Sequence, residues 1–281
     1  FQPCITTMDS RSLDEIHGFL QSGFPSIKLF TVYRGTLMLE KAGVYEVMKM
    51  IAREGGLALV HAESADMIER NIADAIREGR TDARAHALSR PPVTELEAMY
   101  GVYAMARETG APVILAHMTT GKAMELFRHA EKGLLFGEVC PHYLVLDDSV
   151  YDRPDGYNYI CSPPIRGSRD REALWDMVEK GYVQLVNSDH TDYSKAQKER
   201  HKDYFPDVPN GLPTIETRGM VFFSEGVVKR GISLERFVDL TSANAAKLMG
   251  LYPRKGVIRP GSDGDLIIID PDVHYQMEAA A

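Results

Sequence analysis

The sequence predicts an α/β protein built on a parallel sheet, and three observations carry that reading. Runs of strand length alternate with longer amphipathic segments along most of the chain. The short runs are apolar almost throughout, as strands buried on both faces are, instead of alternating. The longer segments open and close on the residues that start and stop helices. Together these point to a β/α barrel or a doubly wound sheet.

Six segments read as strands: FQPCITT (1–7), SIKLFTV (26–32), LALVHA (57–62), PVILAH (112–117), LLFGEV (134–139) and VQLVNS (183–188). Between them, AGVYEVMKMIAREGG (42–56) puts Val44, Val47, Met48 and Ile51 on one helical face and ends in a glycine pair suited to a cap. Residues 91–110 start on prolines and stop at Gly110, and 121–133 and 168–181 follow the same grammar. Two more helical stretches, 212–230 and 233–249, follow the sixth strand. RKGVIRPGSDGDLIIIDPD (254–272) then reads as a turn-rich β segment of a second, small domain. No G-x-G-x-x-G or P-loop pattern follows any strand, so the usual nucleotide-binding signals are missing. A closed β/α barrel takes eight strands, two more than the six read here.

The bulk properties narrow the function classes. With 281 residues, 44% hydrophobic and 26% charged, the composition is that of a soluble globular protein. No apolar run approaches the roughly 18 residues that would span a membrane, and FQPCITTMDS, without a basic or apolar leader region, does not read as a signal peptide. A net charge of −8 argues against nucleic-acid binding. The basic cluster Lys195, Lys198, Arg200, His201 and Lys202 reads as a solvated loop. Cys4, Cys140 and Cys161 make an odd set without C-x-x-C spacing, which argues against a disulfide framework or zinc ribbon and fits a reducing cytoplasm.

Catalytic groups of β/α barrels sit at the carboxyl ends of strands. Lys28 lies within SIKLF, His61 ends LALVH, His117 ends VILAH and Asp189 follows VQLVNS. A single histidine at a strand end is ordinarily structural. Two histidines and an aspartate at corresponding ends offer the N and O donors that zinc takes from rigid elements. Lys28 is different, because an ammonium cannot ligate a metal. Inside an apolar strand it is paired, neutralised or converted by modification into an anionic oxygen donor.

PSIKLFTVYRG, ALVHAES, VILAHMTTG, GEVCPHYLVLD, YICSPPIRGSRDREALWDMVEKG, VNSDHTDYSKAQK, VPNGLPTIETR and LTSANAAKLMGLYPRKGVIRPGSDGDLIIIDP occur in this order and cover nearly the whole chain. In these blocks the sequence resembles the hydantoinase and dihydropyrimidinase family of cyclic amidohydrolases. The resemblance implies a TIM-like (β/α)8 barrel with a small β-sandwich domain. It implies two zinc ions bridged by carboxylated Lys28, with His61 and His117 on the more exposed zinc. Asp189 matches the aspartate that binds the other zinc and serves as general base and acid. Tyr33 matches a tyrosine that stabilises the developing oxyanion, and Ser162 and Asn210 match residues whose backbone groups hold the ring amide. Without the resemblance, Tyr33 is a packed loop aromatic and the SPP and NG sequences are turns. Cys140 reads as a small buried apolar side chain, and neither His142 nor His190 is assigned to a metal.

The family's H-x-H pair on the first barrel strand occurs nowhere in this sequence. The resemblance therefore implies a chain that begins near strand three, with residues 1–250 a partial barrel and 251–281 a partial β segment of the sandwich domain. The implied activity is zinc-dependent opening of a hydantoin or dihydropyrimidine ring by a metal-bridging hydroxide. The implied partners are a small cyclic amide and identical subunits, as a homotetramer or homodimer, without nucleic acid or membrane. His142, in CPHYL, is similar to the allantoinase and dihydroorotase branches, while SPPIR and PNGLP favour the hydantoinases. A non-catalytic scaffold on the same fold is the other alternative, and retention of Lys28, His61, His117 and Asp189 argues against it.

Overall fold

A computed structural model describes residues 1–274. Its centre is a parallel sheet of β1 (Ser26–Phe30), β2 (Leu57–His61), β3 (Val113–Leu115), β4 (Leu135–Val139) and β5 (Leu185–Val186), in sequential order. Each strand pairs with the next one in the chain, as consecutive strands of a β/α barrel do. The helices between them are α1 (Ser12–Gln21), α2 (Lys41–Glu54), α3 (Ala65–Arg77), α4 (Ala83–Ser89), α5 (Pro92–Thr109), α6 (Met124–His129), α7 (Pro141–Val145) and α8 (Ser168–Glu179).

The helices form where the caps demand. α2 and α5 both end at a left-handed glycine, Gly55 and Gly110, a conformation that spares the chain a Cβ clash. Val44, Val47, Met48 and Ile51 of α2 are fully buried, as the helical spacing predicts. One face of the sheet carries Ile27, Leu29, Ala58, Val60, Val113 and Leu115 into the main core with these helices. The opposite face, Leu57, Leu59, Ile114, Phe136 and Leu185, packs with Ala245, Leu248 and Met249. Leu59, Ile114, Glu138 and Leu185 of that face line a cavity of about 460 Å3. Pleating therefore puts Lys28, between buried Ile27 and Leu29, on the cavity side.

Four expectations are corrected. Residues 1–7 form no strand: only Cys4 bridges to Lys28, with Lys28 N donating to Pro3 O at 2.8 Å and Ile5 N to Lys28 O at 3.1 Å. Pro3 has no N–H with which to extend that ladder. The two late helical stretches are not regular, each containing a π-helical segment, Phe223–Val228 and Asp239–Ala243. Residues 254–272, expected to be β, contain no strand. Ile267 and Ile268 there are 79% and 98% exposed, and a strand without a neighbouring ladder is not stable alone. The last of the expected small-domain segment, 275–281, lies outside the described residues. Finally, Lys198 of the basic cluster is buried, at 2% exposure, and is not solvated.

Candidate functional site

Parallel register brings the strand ends level. Phe30, the last residue of β1, pairs with His61, the last of β2, and Leu115 ends β3 two residues before His117. Asp189 lies three residues past β5. Among the described residues, the non-glycine positions with left-handed backbone are Tyr33 (φ 70°), His117 (φ 38°) and Asp189 (φ 45°). Such strained conformations gather where a side chain must be aimed, and all three are residues singled out from the sequence. The Tyr33 turn is fixed by its own carbonyl, which accepts from the amides of Thr36, Leu37 and Met38 at 3.1, 3.0 and 3.1 Å.

The side chains form one contiguous cluster. The rings of His61 and His117 have centroids 4.4 Å apart and cross at 69°. His61 stacks on Phe30 at 5.3 Å, and Tyr33 meets His61 edge-on at 5.3 Å. The Nζ of Lys28 lies 4.9 Å from the Phe30 ring centre. Burial lowers the Lys28 pKa, against the pull of Glu138 and Asp189. Burial alone would raise Asp189. His117, Lys28, His61 and His142 outweigh it, and the carboxyl sits below its usual range.

Behind this cluster lies a charged network that the sequence reading did not find. Glu63 Oε2 is 2.8 Å from His61 Nε2 and accepts from Arg90 at 2.6 Å. Arg166 donates to the Arg90 carbonyl, to Thr119 Oγ1 at 2.9 Å and to Glu95 Oε2 at 3.2 Å. Arg90 in turn lies over the Tyr33 ring at 5.7 Å. Burial works to raise Glu63, but the Arg90 guanidinium and His61 hold it well below the carboxylate range. A carboxylate accepts, so His61 carries its proton on Nε2 and presents the Nδ1 lone pair. His117 is neutral too: burial above all pushes it down to about 3. Its buried Nδ1 has no hydrogen-bond partner.

Glu138, on β4, was also missed. It accepts from the His117 amide at 3.3 Å and from Asn187 at 3.1 Å, and burial raises its pKa. Ser162 Oγ donates to Asn210 Oδ1 at 2.7 Å, which ties the two expected ring-binding residues to each other. Tyr33 reaches Ser162 as well. Burial nevertheless pushes its phenol up to about 12, so the hydroxyl stays protonated. His142 is buried with both ring nitrogens unpartnered, and burial pushes it down to about 4. His190 is exposed, its Nδ1 accepting from the Ile215 amide at 3.3 Å. Cys140 is fully buried, and its thiol is pushed well up by burial, as an inert packing residue requires.

A model of the Amidohydrolase family matches residues 33–280. The chain belongs to that family. This amidohydrolase is 39% identical to a D-phenylhydantoinase of Escherichia coli O1:K1 / APEC, over 99% of its own length and 61% of the relative's. It superposes on the crystal structure of a dihydropyrimidinase from Brevibacillus agri NCHU1002 with a TM-score of 0.91 at 36% identity, covering 94% of this chain and 59% of that one. A D-hydantoinase from Bacillus sp. AR9 gives 0.90 at 36% identity, covering 93% and 58%. The chain thus spans about three-fifths of the length of the curated relatives it matches. No helix among the described residues is long and apolar enough to cross a membrane.

The amidohydrolase family is metal-dependent, and the donor types here suit a divalent ion: two neutral imidazoles, one with an orphaned buried nitrogen, beside a carboxylate. Among the described residues no three His, Cys, Asp or Glu side chains close on a common point.

Proposed function

We propose that this amidohydrolase hydrolyses a cyclic amide or imide of the hydantoin or dihydropyrimidine type. The observation that supports the reading is the contact of His61 with His117 and Tyr33 at the carboxyl ends of one parallel sheet, with Lys28 inside β1 beside Phe30 and Asp189 just past β5. The relatives' names, D-phenylhydantoinase and dihydropyrimidinase, support the substrate class. Residues 1–250 are read as the barrel part and 251–281 as the beginning of the small domain.

Lys28, as its carbamate, would hold two zinc ions together with His61, His117 and Asp189; when bound they supply Lewis acidity that brings water ionisation toward neutral pH. The protein's own groups do the rest. Asp189, whose carboxyl sits below its usual range, takes a proton from the attacking water and returns it to the leaving ring nitrogen. Tyr33, still protonated at neutral pH, donates to the carbonyl oxygen as charge accumulates there. The backbone at Ser162 and Asn210 holds the ring amide, and the hydrogen bond between their side chains fixes the gap. His61 is oriented through Glu63, which leaves its other nitrogen available as a donor to metal.

His142, in CPHYL, is similar to the allantoinase and dihydroorotase branches and keeps a second ring class, that of allantoin or dihydroorotate, as the alternative. A panel of 5-substituted hydantoin, dihydrouracil, allantoin and dihydroorotate, assayed with zinc-loaded protein expressed from its complete reading frame, tests both. Opening of one ring is expected. Failure to open any, with two zinc ions bound per chain, would overturn the reading.

A further inference from the structure

Lys198 lies in a short helix, α9 (Lys195–Glu199), that is held in place by a capping box between Ser194 and Gln197. Every charged neighbour in KAQKERHK invites solvent, yet its side chain turns inward. Its Nζ donates to the Ile160 carbonyl at 2.7 Å and the Asn158 carbonyl at 3.2 Å. The Ile160 carbonyl also accepts from Gly211 N at 3.1 Å. One oxygen thus joins the segment that leads into Ser162 to the segment that leaves Asn210. The next carbonyl, Cys161, is held by His86 Nε2 at 2.8 Å. On the other side, Gly211 has φ +132°, and any Cβ there would run into the Thr191 side chain. Neither segment has slack.

We propose that Lys198 is a positioning residue for the substrate ring, fixing the separation of Ser162 and Asn210 through the Ile160 carbonyl it shares with Gly211. The inference rests on the ring-opening reading above. A cation donating to two carbonyls makes stronger hydrogen bonds than a neutral donor does. It also resists withdrawal from its carbonyls, because an unpaired buried charge is costly. Burial pushes Lys198 down to about 8, the mark of a charge kept where solvation is poor. The side chain touches neither the reacting bond nor the candidate metal donors, so its effect falls on ring binding.

The test compares wild type with K198M and K198R, expressed from the complete reading frame, by amide hydrogen exchange and by kinetics. In K198M, exchange is expected to quicken at 158–162 and 210–212 while β2 and β3 hold their protection. KM for the ring should rise roughly tenfold with kcat within about threefold and zinc content unchanged. K198R should recover most of the KM. Unchanged exchange in either segment, or a fall in kcat with KM preserved, overturns the proposal. If K198M does not fold, K198Q, which keeps one shorter donor, carries the same comparison. Should wild type open no ring, the functional reading fails separately, and the exchange data still decide whether Lys198 joins the two segments.

Discussion

Glu63 and Arg90, 27 residues apart in sequence, form a 2.6 Å ion pair, and the same carboxylate oxygen lies 2.8 Å from the ring of His61. Both charged groups are buried, so each depends on the other for its solvation. Glu63→Ala strands the Arg90 guanidinium and is expected to cost about 3–5 kcal/mol in urea unfolding, as breaking one side of a buried pair does. Glu63→Gln keeps the shape and an acceptor. It should cost less stability but lower zinc affinity by roughly 10–100-fold, read by chelator competition. Equal zinc affinity in wild type and E63Q would remove the orienting role from Glu63.

Asp189 separates chemistry from packing, because the residue as a whole is exposed and belongs to no core cluster. Asp189→Asn should lower kcat by at least about a hundredfold while the thermal transition shifts little. Near-normal turnover would refute its role as proton carrier.

For Tyr33 the hydroxyl alone is at issue, since the ring also packs on His61. Tyr33→Phe is expected to lower kcat by roughly a hundred- to a thousandfold with the fold unchanged, the loss of one oxyanion donor. An unaltered kcat would leave Tyr33 a packing residue.

Lys28 is answered by intact mass. Protein isolated without acid should carry the added mass of one carbon dioxide on the peptide containing Lys28, and two zinc ions. Bound metal with an unmodified lysine would contradict the carbamate bridge.

The buried histidine His86 makes the fold acid-sensitive. Burial, with Arg90 adding to it, pushes His86 down to about 3, while an unfolded chain titrates near the ordinary value of 6.5. Below that value the unfolded state binds the extra proton, so stability is complete above about pH 6.5 and falls as pH drops toward 3. By pH 5 the loss from this one group should reach about 2 kcal/mol in urea unfolding. His86→Asn should flatten that slope; a slope identical to wild type would mean that His86 is not the group responsible.

The places of His61, His117 and Asp189 were legible in the sequence because each stands at or just past the end of an apolar strand, and that of Lys28 because it is the one charge inside β1. The rows of apolar residues themselves marked β1 to β5. The network behind them was not legible. Arg166 meets Glu95 across 71 residues and the Arg90 carbonyl across 76, distances at which local pattern carries no signal. Glu138 left a faint trace as the lone acid in an apolar strand, and Glu63 another as the acid two residues after His61. Lys198 left none, since its burial follows from a loop folding back on the Ile160 carbonyl. Residues 1–7 and 254–272 have strand-like composition, but a strand exists only where a neighbour offers a ladder.

The left-handed backbone at Tyr33, His117 and Asp189 has a consequence for any campaign of directed evolution. Each position holds a side chain where glycine would relieve roughly 1 kcal/mol of steric conflict. At exposed Asp189, where no buried ring is lost in exchange, selection for heat resistance alone would accept that glycine, and the clones it favoured would fall silent.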